Sequence, residues 1–214
     1  MLVKGCLFGM LGSLAGLVLV VLGVDVAARH YATARIESRV KSSVPAAQGV
    51  HARIHSFPFL KVVANGHIDE IGVHVNRLPE QPVTFTDVDV DVHTVRLPVG
   101  QLLTGGTVQI THLARGTITA WVTPADLTTA LGVPISVDPT GQLTAAGRPL
   151  VLVVDNKGHR LVVGVPGFHL VVLPLPSARL LPCPPQVAMV TGKVELSCTF
   201  TQIPPALGSL VGAA

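Results

Sequence analysis

From Asp87 to His93 the chain alternates without a break: Val88, Val90 and Val92 fall between Asp87, Asp89, Asp91 and His93. A helix would scatter these valines around its circumference. A strand puts all three on one face and every polar residue on the other. The chain therefore contains sheet that is buried on one face and wet on the other, as antiparallel sheets commonly are. Val83 and Phe85 keep the period but fall on the opposite phase, which predicts a β-bulge near Thr86 and Asp87. The same alternation recurs at Ile71, Val73 and Val75, at Val108 and Ile110, and at Ile118, Ala120 and Val122.

Further strands follow the same logic. Leu150 to Val154 and Leu161 to Val165 flank the turn Asp155-Asn156-Lys157-Gly158 and predict a hairpin. Phe168 to Leu173 is the next strand, and Val194 to Phe200 the last, with Val194, Leu196, Cys198 and Phe200 on one face. Between them Pro174, Pro176, Pro182, Pro184 and Pro185 predict extended loop. Two short helices interrupt the strands, one over Leu97 to Leu103 and one from Thr123 to about Leu131. The second has a good N-cap in Thr123, Pro124 at the first helical position and Asp126 in the first turn. A weak terminal helix opens at Pro204 and Pro205.

Residues 5–24 carry no charge. Twenty such residues are enough to cross a hydrocarbon core of about 30 Å as a helix. The run is long for the apolar region of a cleaved signal peptide and no Ala-x-Ala follows it, so a membrane anchor is the better reading of residues 1–24. Cys6 is not a lipoprotein cysteine, because Val3-Lys4-Gly5 offers no apolar stretch before it. Residues 25–44 continue the span as a helix, with Val26, Thr33, Ile36, Val40 and Val44 near a 3.6 spacing and Pro45 as the stop. Arg29, Arg35, Arg39 and Lys41 follow the span, against the positive-inside rule. The cysteines nevertheless put residues 25–214, a single domain, outside the cytoplasm. Cleavage of the span would leave the same domain secreted.

The chain is 49% hydrophobic and 13% charged, against roughly 25% charged in an average domain. That excludes intrinsic disorder. A net charge of +3 with no Lys/Arg cluster argues against nucleic-acid binding. One apolar run argues against a multi-span protein. What needs explaining is where the aliphatic surface goes.

Chemistry-bearing motifs are few. Cys183 and Cys198 are the only cysteines after the span, and an exported domain would oxidise them to a disulfide; otherwise they are buried thiols. Asp87, Asp89 and Asp91 lack the Gly and Glu of a calcium loop and line up along a strand face. His51, His55, His67 and His74 show no metal-ligand spacing, so no metal is expected. No Gly-x-Ser-x-Gly occurs. Gly105-Gly106 reads as a helix end, not a phosphate loop, so no cofactor is expected. Phe57-Pro58-Phe59-Leu60 stands apart, as a hydrophobic plug in the core or a lip at a lipid opening.

Several stretches together resemble a known family, the LmeA-like phospholipid-binding proteins of the actinobacterial cell envelope. They are Asp25 with the Ala/Arg-rich helix, Phe57-Pro58-Phe59-Leu60, and Ala64-Asn65-Gly66-His67-Ile68-Asp69-Glu70-Ile71. Val95 to Leu103 and Thr117 to Leu131 extend the resemblance, which covers about residues 25–205. It implies an α+β tubular lipid-binding architecture, with one long N-terminal amphipathic helix wrapped by a curved antiparallel sheet and an apolar groove between them. It implies phospholipid binding, a role in building envelope lipoglycans or in lipid transport, and no catalytic residues. On that implication the helix contributes Ile36 and Val40 to the groove, and the loop contributes Phe57, Phe59 and Leu60. The strands contribute Val88, Val90, Val92, Ile118 and Val122. Aliphatic walls suit acyl chains, which need apolar contact and few directional groups. The phospholipid and the membrane are then the expected partners. Two other classes stay open: an envelope lipid- or glycan-modifying enzyme using the histidines, and an interaction module with a solid core.

Overall fold

The computed structural model describes residues 3–56, 58, 61, 62, 65–96, 112–155, 160–166, 168–175 and 183–202, with backbone alone for 3–18, 168–170 and 174. The helix expected over Leu97–Leu103, the Val108–Ile110 segment and the terminal helix lie outside these residues. In chain order the elements are helix α1 (Val3–Ser43), β1 (Gln48–His55), β2 (His67–Glu80), β3 (Val83–Arg96) and β4 (His112–Val122). Helix α2 (Pro124–Leu131), β5 (Ile135–Val137), β6 (Leu143–Ala145) and β7 (Arg148–Pro149) follow. The chain then forms β8 (Val151–Asp155), β9 (Arg160–Val165), β10 (Phe168–Pro174), β11 (Gln186–Val190) and β12 (Lys193–Phe200). The architecture is α+β, a long N-terminal helix with a large antiparallel sheet.

Helix α1 stops where the sequence asks it to. Pro45 disfavours helical geometry at Val44, and Lys41 places a cation among the last, unsatisfied carbonyls. Ala28, Ala32, Ile36, Val40 and Val44 pack against the core. Spaced four apart, they form one ridge along the helix. This corrects the expected face at its start. Val26 lies two residues from Ala28, roughly 200° around the helix, and is 63% exposed. Among the described residues no helix is long and apolar enough to cross a membrane. Most of the uncharged run 5–24 falls where backbone alone is described.

Six strands form the main sheet in the order β1-β2-β3-β4-β12-β11. Three more form a sheet in the order β10-β9-β8, and β5, β6 and β7 a small third one. The expected bulge is present: Thr86 faces Trp121 and Asp89 faces Thr119, so β3 carries one residue more than β4 between them. Asp87 takes a φ of 52°. The distortion does not stop at β3. Gly49 on β1 has a φ of 64°, and a Cβ there would come within 2.4 Å of the Asn76 amide on β2. A kink line thus runs across three strands. It lets Val83, Phe85 and Val88 all point into the core despite their broken period.

The buried aliphatics form two clusters on the inner side of the sheet. One joins Val50, Val75, Val122, Val194 and Leu196 to Leu127 of α2 and to Leu161, Val163 and Leu173 of the three-stranded β8–β9–β10 sheet. The other joins Ile54, Ile68, Val95, Leu113, Ile118 and Phe200 to the two cysteines. Helix α1 meets both, through Val40 and Val44 at the first and through Ala28, Ala32 and Ile36 at the second. It also covers an open sheet edge: Ala52 N–H on β1 donates to Glu37 Oε1 at 2.9 Å.

Helix α2 follows its sequence signature. The Thr123 hydroxyl accepts from Asp126 N–H at 3.2 Å, and Gly132 closes the other end with a φ of 69°. Asp126 in turn accepts from the Thr86 hydroxyl at 3.2 Å and meets the Arg77 guanidinium at 3.5 Å, tying α2 to β3 and β2. Thr123→Ala should cost about 1 kcal/mol of stability, as N-cap removals do; a chemical denaturation curve unchanged from the wild type would show that the cap carries no load. At the β5–β6 turn, Asp138 accepts from the Thr140 hydroxyl at 2.6 Å and from the N–H groups of Gln142 and Thr140. These bonds, the hydroxyl's first, hold its carboxyl below the ordinary carboxylate range.

Candidate lipid-contacting site

The inner face of the sheet is not uniformly covered. At one end Val75 and Val88 are buried, and at the other Ile68 and Val95 are. Between them Ile71 and Val73 on β2, and Val90 and Val92 on β3, are only partly buried. The register makes these four a single patch, with Ile71 facing Val92 and Val73 facing Val90. Ile36 is likewise half-buried, and from Ala28 and Ala32 the helix presents no more than methyl groups. Small side chains on the helix opposite branched ones on the sheet leave an aliphatic strip between the two clusters.

The expected contact residues divide between these regions. Ile36, Val90, Val92 and Ile118 come together around the second cluster. Val40, Val88 and Val122 belong to the first, where Val122 is wholly buried. Phe57, Phe59 and Leu60 lie outside the described residues. Ile71 and Val73 belong to the strip but were not among the expected contacts, although their alternation carries the same signal as that of Val90 and Val92. Ala28 and Ala32 had no such signal, because alanine marks neither face of a helix.

A shallow cavity of about 70 Å³ opens beside the second cluster, lined by Ser56, Lys61, Val62, Asn65, His67 and Asp69. It is far below the roughly 300 Å³ at which small-molecule pockets begin, so it accommodates no acyl chain. Its lining is polar, and it brings an ammonium, an imidazole and a carboxylate to one opening. His67 Nε2 lies 3.2 Å from Asp69 Oδ1, and the Ser56 hydroxyl accepts from Asp69 N–H at 2.9 Å.

The outer face of the main sheet has the opposite character. His74 Nδ1 lies 2.6 Å from Asp89 Oδ1, and Asp87 Oδ2 lies 3.7 Å from Lys193 Nζ. Glu70 stands between His55 at 3.5 Å and His93 at 3.9 Å. Asp87, Asp89 and Glu70 therefore pair with His55, His74, His93 and Lys193 across strands instead of converging. Among the described residues no group of three or more His, Cys, Asp or Glu is arranged to hold a metal ion. Cys183 and Cys198 are joined in a disulfide, with their Cα atoms 5.7 Å apart. The bond fastens the segment before β11 to β12 inside the second cluster.

A sequence model of the family described as LmeA-like phospholipid-binding matches residues 23–202. No curated protein matches the chain, and no solved structure does.

Proposed function

The chain belongs to the LmeA-like phospholipid-binding family, and from that premise we propose that it holds the acyl chains of a phospholipid against the inner face of its sheet. The observation that carries the reading is the half-covered strip of Ile71, Val73, Val90 and Val92, of which Ile71, Val90 and Val92 pack around the second cluster with Ala28, Ala32 and Ile36. Each methylene taken from water there contributes about 0.8 kcal/mol, so part of one acyl chain supplies ample affinity. The head group would sit at the polar cavity beside the second cluster. There the Lys61 ammonium meets the phosphate as a charge-assisted donor. The N-terminal uncharged run tethers the domain to a membrane from its extracytoplasmic side, where the disulfide is stable. Work on envelope lipids, by carrying or presenting them, follows from that position. The domain binds lipid and does not transform it.

The test uses the full chain in vesicles containing a phospholipid with a photoactivatable acyl chain. After irradiation, crosslinked peptides are mapped by mass spectrometry. Crosslinks are expected on β2 and β3 as well as in the N-terminal run. Val73→Asp combined with Val92→Asp should lower the β2 and β3 crosslinks about tenfold or more, since an unpaired charge in an apolar strip is expelled with its ligand. Crosslinks confined to residues 5–24 would sink the reading, because the span alone would then touch lipid.

A further inference from the structure

We infer that the outer face of the β8–β9–β10 sheet docks on an anionic lipid layer, at the end of the domain away from the N-terminal apolar run. The register sets Val153, Val162 and Val172 side by side across the three strands. Their neighbours Leu152, Val163 and Val171 point inward to the first cluster. By the period-2 rule the outward positions of such a sheet should be polar. They are on the main sheet, where Asp, His and Thr fill them. Here Val153 is 52% exposed, Val172 49% and Val151 43%. The patch continues past β8 to the neighbouring edge strand β11, where Val190, on the face opposite the inward Val187, is 42% exposed. Solvated monomers seldom leave aliphatic side chains contiguous in this way.

Charge selects the occupant. Residues 146–192 hold Arg148, Lys157, Arg160 and Arg179 against Asp155 alone, a net of +3. The rest of the chain holds the remaining 11 Lys/Arg (15 − 4) and 11 Asp/Glu (12 − 1), a net of zero. The whole positive charge of the protein thus lies in the segment that carries the exposed valines, and Arg148 and Arg160 are exposed with them. Exposed aliphatic area in a segment of net positive charge fits the boundary of an anionic bilayer. A protein interface core is instead enriched in aromatic anchors, and residues 146–192 hold a single Phe, Tyr or Trp. Position selects the layer. The β8–β9–β10 sheet belongs to the cluster that meets α1 at Val40 and Val44. Val40 lies roughly 20 Å along the helix axis from Val26. A domain tethered through residues 5–24 would turn this face to a second lipid layer. The preference for lipid over protein rests on the lipid-binding reading above.

The experiment places the full chain in phosphatidylcholine proteoliposomes and offers it separate acceptor vesicles, either phosphatidylcholine alone or phosphatidylcholine with phosphatidylglycerol. An environment-sensitive fluorophore is attached through Val153→Cys in a Cys6→Ser background, with His51→Cys on the polar outer face as the control. The label at position 153 should shift to the blue only with anionic acceptors, and the control label should not. Val153→Asp with Val172→Asp should lower capture of anionic vesicles about tenfold while the circular dichroism spectrum is preserved. Equal emission from the two labels, equal capture of both vesicle types, or a blue shift without vesicles that grows with protein concentration would each overturn the inference. Acyl-chain crosslinking in the same samples separates the two readings. Capture lost with crosslinks retained removes this inference alone, and crosslinks lost with capture retained removes the lipid-holding strip alone.

Discussion

Leu196→Ala should destabilise the domain by roughly 2–5 kcal/mol, the range for buried Leu→Ala changes. Leu196 is wholly buried on β12 and faces Ala120 of β4 on one side and Val187 of β11 on the other. Its neighbour Ala120 is too small to fill a hole, so the cavity would persist and the cost should fall in the upper part of that range. Urea denaturation followed by circular dichroism measures it, with Val153→Ala as the reference. Val153 is half exposed, and such changes usually stay within about 0.5 kcal/mol. A loss below about 1 kcal/mol at Leu196 would mean that β12 is not the packed centre of the sheet.

Replacing both Cys183 and Cys198 by alanine should cost about 3 kcal/mol, because the bond closes a short loop that the unfolded chain otherwise explores freely. Alanine is the better test than serine, since both positions are buried among Val95, Leu113 and Phe200, where a hydroxyl would need a partner. Reduction of the wild type should reproduce most of the loss. If the oxidised, reduced and alanine forms unfold at the same urea concentration, the bond contributes nothing and β11 is held by its ladder to β12 alone.

Much of this fold could be read from residue order, for reasons visible at particular positions. The bulge at Asp87 showed itself because Val83 and Phe85 disagree in phase with Val88, Val90 and Val92. Helix α2 showed itself because Thr123, Pro124 and Asp126 each occupy the position their chemistry favours. The pairing of Cys183 with Cys198 followed from their isolation in the body together with the expected export of the domain. Other elements were hidden. Strands β5, β6 and β7 are two or three residues long, too short to establish a period. Strand β11 reads Val187-Ala188-Met189-Val190 without alternation, as an edge strand with apolar groups on both faces does. The site was only half legible. Alternation told which residues of β2 and β3 face inward, but not which of them the helix leaves uncovered. That depends on Ala28 and Ala32 meeting the sheet, a property of two side chains too small to leave a pattern.

The kink shared by Gly49, Asn76 and Asp87 has a consequence for how such a chain can change length. It shifts the reading frame of β3, with inward residues at 83 and 85 before it and at 88, 90 and 92 after it, until Thr94, at a φ of 57°, shifts the frame again for Val95. Deleting Asp87 alone would fuse these two frames into one unbroken alternation, with all five residues still inward and β3 matched to β4, but it would leave β3 one residue short of β2. A deletion can therefore be absorbed only if β2 and β1, which keep one-to-one register with it through the kink, each give up a residue in step. Along this seam, a gain or loss of one residue is a change to three strands at once.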